Sequence, residues 1–140
     1  YKLHLATGDG DVPLAAILTS ASLHDSQVAI PLMQKVSERA TVLYDLADSA
    51  YDAEDIKNFS RKLGHVPIID TNKRRSDAIM LSPAEKRRYC ERSGVERTNS
   101  DLKDNYGVHH IRVKGHWKVL CHLMFSIIAL TVKQLFNMLN

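Results

Sequence analysis

The chain has only two cysteines among its 140 residues, Cys90 and Cys121, and neither stands in a paired spacing. That excludes a disulfide-stapled scaffold and fits a reducing cytosol. Among the histidines, His109, His110 and His116 lack the spacing of a zinc site. Long apolar runs are scarce too. The most apolar stretch, Val119 to Val132, carries His122, Ser126 and Thr131 and falls short of the ~20 residues of a membrane span, so the segment from Trp117 to Leu139 is expected to be a buried or oligomer-facing helix. There are no internal repeats and no low-complexity tracts. Initiator Met and signal peptide are both missing, and Tyr1 already sits in a strand pattern, so a piece of a longer reading frame is expected.

The formal net charge of +3 hides an asymmetry. Residues 1–72 hold 6 Lys and Arg against 10 Asp and Glu, whereas residues 73–118 hold 12 against 6. A local basic excess of this kind is either a solvated surface or the place where a polyanion is held.

At this length one core is expected, burying about two thirds of the unfolded surface. Tyr1 to Thr7 alternates as a strand does, Gly8 to Asp11 turns, and Val12 to Thr19 forms the second arm of a hairpin, with Pro13 favouring an edge. Ser22 to Asp25 is expected to cap a helix over Ser26 to Arg39. Thr41 to Ala47 reads as a short strand buried on both faces, Tyr51 to Leu63 as an amphipathic helix closed by Gly64, and His65 to Asp70 as another strand. Asp48 lies just past a strand, at the carboxyl end where open α/β sheets place ligand and catalytic groups. Asp45, inside the strand, Asp52, at a helix start, and His24-Asp25, at another, are more economically structural.

Ser82 to Gly107 is the stretch with the most information. Ser82 as N-cap, Pro83 at the first helical position, Glu85 three residues after the cap and Gly107 as the stop predict one long helix. At about 100° per residue, Tyr89, Arg92, Glu96 and Lys103 fall at roughly 0°, −60°, −20° and −40°. One narrow face would then carry a phenol, a guanidinium, a carboxylate and an ammonium, where a helix that only covers a core would carry aliphatic residues.

This Tyr-x2-Arg-x3-Glu-x6-Lys spacing resembles the signature of DDE transposases of bacterial insertion sequences. Leu46-Ala47-Asp48-Ser49-Ala50-Tyr51-Asp52 is similar to the family's second-aspartate segment, with Ala50 in place of its usual Gly. The resemblance implies an α/β, ribonuclease H-like mixed sheet flanked by helices, lacking the first strand, with a C-terminal apolar helix, all as a single partial catalytic domain. It implies that Asp48 and Glu96 are the second and third acids of the catalytic triad. The first acid has no counterpart here by position, since Asp9 and Asp11 lie in the hairpin turn. The 47 residues between Asp48 and Glu96 also leave no room for the β-rich insertion that some relatives carry.

Phosphodiester cleavage and strand transfer suit carboxylates on different elements that hold Mg²⁺ or Mn²⁺. Arg92 and Lys103 have the reach and charge to grip flanking phosphates, and Tyr89 can stack on a base or donate to a phosphate. Lys73, Arg74, Arg75, Arg112 and Lys114 are expected to contact the DNA backbone with little base specificity. The implied partners are transposon ends and target DNA, with a homo-oligomer in the full-length protein, no membrane, and a cytoplasmic, nucleoid-associated location. Two other classes compete: a catalytically inactive DNA-binding or assembly remnant, and a metal nuclease that shares only the fold.

Overall fold

The computed structural model describes residues 1–71 and 80–139, and the chain divides into two compact units. One unit joins residues 1–21 to residues 93–140; the other is the continuous segment 22–92.

In the discontinuous unit, β1 (Lys2–Thr7) and β2 (Pro13–Thr19) form the expected antiparallel hairpin, in register from Lys2 opposite Thr19 to Thr7 opposite Pro13, with an irregularity at Ala6/Thr7. Gly10 and Asp11 turn the chain at positive φ, +70° and +61°. Alternation along β1 puts Leu5 into a core with Leu102 and Leu130. Leu18 of β2 joins Val119 and Leu123 in a second cluster. The helical partners come from α4 (Ser93–Asn105) and α5 (His116–Leu139). Polar ties are few and specific: the Ser126 hydroxyl donates to the Tyr106 carbonyl at 2.7 Å, and buried His4 meets the Thr19 hydroxyl at 2.9 Å.

Asp11 fastens the hairpin turn to α4. Its carboxylate accepts two bonds of 2.8 Å from the Arg97 guanidinium, a bidentate fork, and its carbonyl accepts from the buried Thr98 hydroxyl at 2.9 Å. A methyl group at Gly94 would collide with that carboxylate, which the fork prevents from swinging aside. Gly94→Ala should therefore lose about 1–3 kcal/mol despite alanine's better helix propensity. Urea midpoints check this: the penalty should vanish in an Asp11→Gly background, and a neutral Gly94→Ala alone would refute it.

α5 runs for 24 residues, longer than its most apolar stretch suggested. With a mean hydropathy of 1.8 over an 18-residue window and 28% of that window buried, it is long and apolar enough to cross a membrane by length and composition. The expectation that this segment falls short of a span is thus corrected: the flanking residues continue the helix at both ends.

In the continuous unit, α1 (Ser26–Ser37) is followed by β3 (Tyr44–Ala47), α2 (Glu54–Lys62), β4 (Val66–Ile69) and α3 (Pro83–Tyr89). β3 and β4 are parallel, Tyr44 beside Val66 and Ala47 beside Ile69, with α2 as the crossover. Ala29, Ile56 and Ile69 form the core. The α1 cap differs from expectation, because the Asp25 side chain makes no cap bond and His24 Nδ1 instead accepts from the Ser26 amide at 3.4 Å. β3 is also not buried on both faces, since none of its four residues is buried, and β4 is its sole strand neighbour among the described residues. Among the described residues the strands pair as two two-stranded sheets, β1-β2 and β3-β4, one in each unit.

Asp45 on β3 is a structural anchor. Its Oδ2 accepts from the Ser60 hydroxyl at 2.6 Å and meets His65 Nδ1 at 2.9 Å, joining the end of α2 and the entry to β4 to the strand. Ser60 is fully buried and His65 nearly so. Asp52 likewise has a local duty, its carboxylate pairing with Lys57.

Candidate active site

The capping box forms as the sequence predicts: the Ser82 hydroxyl accepts from the Glu85 amide, and the Glu85 carboxylate accepts from the Ser82 amide at 2.8 Å. The helix it starts does not run unbroken to Gly107. α3 ends at Tyr89, Cys90–Arg92 forms a 3₁₀ turn, and α4 begins at Ser93. The Cys90 thiol donates back to the Lys86 carbonyl, and Ser93-Gly94 offers little helix propensity beyond the turn. Tighter winding interrupts the 3.6-residue period, so the expectation of one unbroken helix from Ser82 to Gly107 is corrected. Tyr89 and Arg92 belong to the continuous unit, Glu96 and Lys103 to the discontinuous one.

Within the continuous unit the structure gathers Asp48, Tyr89 and Arg92. Asp48 leaves the carboxyl end of β3 in an extended conformation, and its Oδ1 accepts from the Ala50 amide at 2.9 Å, capping a short 3₁₀ turn over Ser49–Tyr51. The Arg92 guanidinium lies over the Tyr89 ring, 5.4 Å from its centroid. Burial raises the Tyr89 phenol pKa first; Arg92 opposes that rise, and the carboxylates of Asp70 and Asp48 add to it. Tyr51 is pushed up to about 12, chiefly by burial, then by Asp25 and Asp48. Asp48 thus acts on both the Tyr51 and the Tyr89 phenols, and Arg92 lies over the second of them.

Asp70 was not picked out by the sequence, and Tyr51 stood there only as part of the Leu46 to Asp52 segment. Asp70 follows β4 in the same place that Asp48 follows β3, since Ala47 and Ile69 are register partners, and its amide donates to the Ala47 carbonyl at 3.2 Å. Equal position after two parallel strands was the available signal. Arg87 and Arg88 also escaped notice; with Ala84 and Glu91 they line an open cleft of about 440 Å³, and Arg88 packs 4.1 Å over the Tyr44 ring.

In the discontinuous unit, Glu96 and Lys103 are exposed on α4, seven residues apart and so on one side of that helix, about 10 Å along its axis. Arg97, a candidate partner for an ordinary surface Glu96, gives its fork to Asp11. Arg112 and Lys114 are exposed between α4 and α5. Lys73, Arg74 and Arg75 lie outside the described residues.

Among the described residues no group of three or more His, Cys, Asp or Glu side chains is placed to hold a metal ion. The donors present are nonetheless of the hard oxygen kind that Mg²⁺ and Mn²⁺ take, with Asp48 at a strand end, so they fit such an ion as part of a set. A family model described as transposase DDE domain matches residues 1–132. No curated protein and no solved structure matches the chain.

Proposed function

Because this chain belongs to the DDE transposase family, we propose that its 140 residues are part of one ribonuclease H-like catalytic domain that cuts and joins insertion-sequence DNA. The observation that carries the assignment is the place of Asp48: it leaves the carboxyl end of a parallel strand in the company of Tyr89 and Arg92. Asp48 and Glu96 are the second and third acids. No residue here takes the first acid's place by position, and we assign that acid to a strand outside these 140 residues.

Asp48 and Glu96 would hold divalent metal, Mg²⁺ or Mn²⁺, which when bound lowers the pKa of a water nucleophile and stabilises charge on the leaving oxygen. The residues of this chain bind and orient. The Arg92 guanidinium grips a phosphate next to the scissile one, and the Tyr89 phenol, kept protonated by its surroundings, donates to a phosphate oxygen. Lys103 holds the strand farther along α4. Arg112, Lys114 and the Lys73 to Arg75 segment contact the backbone without reading bases. A cytoplasmic, nucleoid-associated protein acting as a homo-oligomer without a membrane follows from this substrate.

A catalytically inactive DNA-binding or assembly remnant is the second reading, favoured by the exposed Arg112 and Lys114 and by the apolar side of α5. Mn²⁺- or Mg²⁺-dependent nicking of plasmid DNA separates the two. The 140-residue chain is compared with a version extended upstream through the missing strand. Activity in the extended form alone supports the split acidic set; silence from both, with DNA still bound, moves the assignment to the remnant.

Lys103→Ala should weaken DNA binding and reduce the slope of log K against log salt by about one. Fluorescence anisotropy over a salt series measures this, and an unchanged slope takes Lys103 off the phosphate.

A further inference from the structure

α5 buries one side and shows another that is as apolar. Val119, Leu123, Ser126 and Leu130 face its own core. Opposite them Phe125, Ile128, Val132, Leu135 and Leu139 are 69%, 58%, 47%, 48% and 83% exposed. Their spacing is three, four, three and four residues, and exposed Cys121 extends it by four more toward the N-terminus. That alternation is the period of a heptad seam, and its buried counterpart falls on the far side, as a helix that packs twice requires.

We propose that this seam is where a second copy of the chain docks, α5 against α5. Three observations select that occupant. The first is area. At about 200 Å² for a large apolar residue, these five side chains and Phe136, 63% exposed, present roughly 700 Å² per copy. Two copies would bury about 1,400 Å², inside the ~1,200–2,000 Å² of a stable interface.

The second is charge. The positions flanking the seam are His122, Ala129 and Phe136 on one side and Met124, Thr131 and Met138 on the other, so none carries an acid, Lys or Arg. A two-fold contact sets a face against itself, where a formal charge on the flank would meet its own kind. Lys133, the sole Lys or Arg from Val119 to Leu139, is instead turned to Asp101 of its own chain at 3.2 Å.

The third observation is the second face. A bilayer would have to surround α5, yet the Ser126 hydroxyl is already bonded to the Tyr106 carbonyl and Leu130 is fully buried in the protein core. A protein partner leaves those contacts in place. This inference gives the homo-oligomer proposed above its surface, and its test does not depend on whether the chain cuts DNA.

Sedimentation equilibrium on the 140-residue chain, 15.8 kDa as a monomer, tests it. Dimer is expected at micromolar concentration. The double variant Ile128→Glu, Val132→Glu should be monomeric, with dissociation at least 100-fold weaker, and should keep the circular dichroism of the parent because both positions are exposed in the single chain. Should that variant lose its fold, Phe125→Ser alone carries the comparison, with a weaker dimer expected. A parent that stays monomeric to about 100 µM overturns the proposal, as does a dimer that both variants leave unchanged. Flotation of a monomeric parent with phosphatidylcholine vesicles overturns it in favour of a lipid surface.

Discussion

Glu96→Ala, made in a version of the protein extended upstream through the proposed first strand, should lower plasmid nicking by about 10³-fold or more while DNA binding stays within a few-fold. The side chain is exposed in the first turn of α4 and makes no part of the hydrophobic core, so its removal should leave the fold intact. Asp48 needs a gentler change. Its carboxylate also caps the turn at Ser49–Tyr51 through the Ala50 amide, so alanine would remove a cap as well as a charge. Asparagine keeps an acceptor for the amide and removes the charge. Asp48→Asn should therefore match Glu96→Ala in lost nicking and match the parent in thermal unfolding. Retained cleavage by either variant would remove that residue from the acidic set.

Asp45→Ala should cost about 3 kcal/mol of stability in the continuous unit, the largest loss expected from any single polar residue described. Its Oδ2 is the shared partner of the Ser60 hydroxyl and of His65, and both would be left in a dry interior without it. Asp45→Asn should fall between, because an amide oxygen accepts but carries no charge. Urea unfolding followed by circular dichroism measures both, and a loss below about 1 kcal/mol for alanine would show that Ser60 and His65 are satisfied by other means. The same experiment bears on function: a stability loss here with normal nicking by the folded fraction would confine Asp45 to structure.

The parts of the fold governed by local chemistry were legible. Alternation in Tyr1 to Thr7 announced β1, Ser82-Pro83 with Glu85 announced the start of α3, and Gly64 and Gly107, both at positive φ, marked where helices stop. The break at Cys90–Arg92 was not, because its sequence contains neither Gly nor Pro and the residue that helps to end α3 does so through a thiol. Long-range polar ties were equally hidden. Asp11 and Arg97 look like ordinary surface charges until a positive-φ turn brings one within reach of the other. For the candidate site, Asp48 was visible from its place after a strand, whereas Asp70 required knowing which strands run side by side.

The division of the chain has a consequence for its synthesis. The hairpin of β1 and β2 is made before the continuous unit, yet its core partners in α4 and α5 lie beyond the whole of that unit. At about 5–20 residues per second, the interval between the end of the hairpin and the start of α4 is roughly 4–15 s, long enough for segment 22–92 to close on itself first. Leu5 and Leu18 then lack the α4 and α5 residues that cover them in the finished fold. A nascent chain in that interval is a substrate for holding chaperones, and its yield should depend on translation speed more steeply than its final stability would suggest.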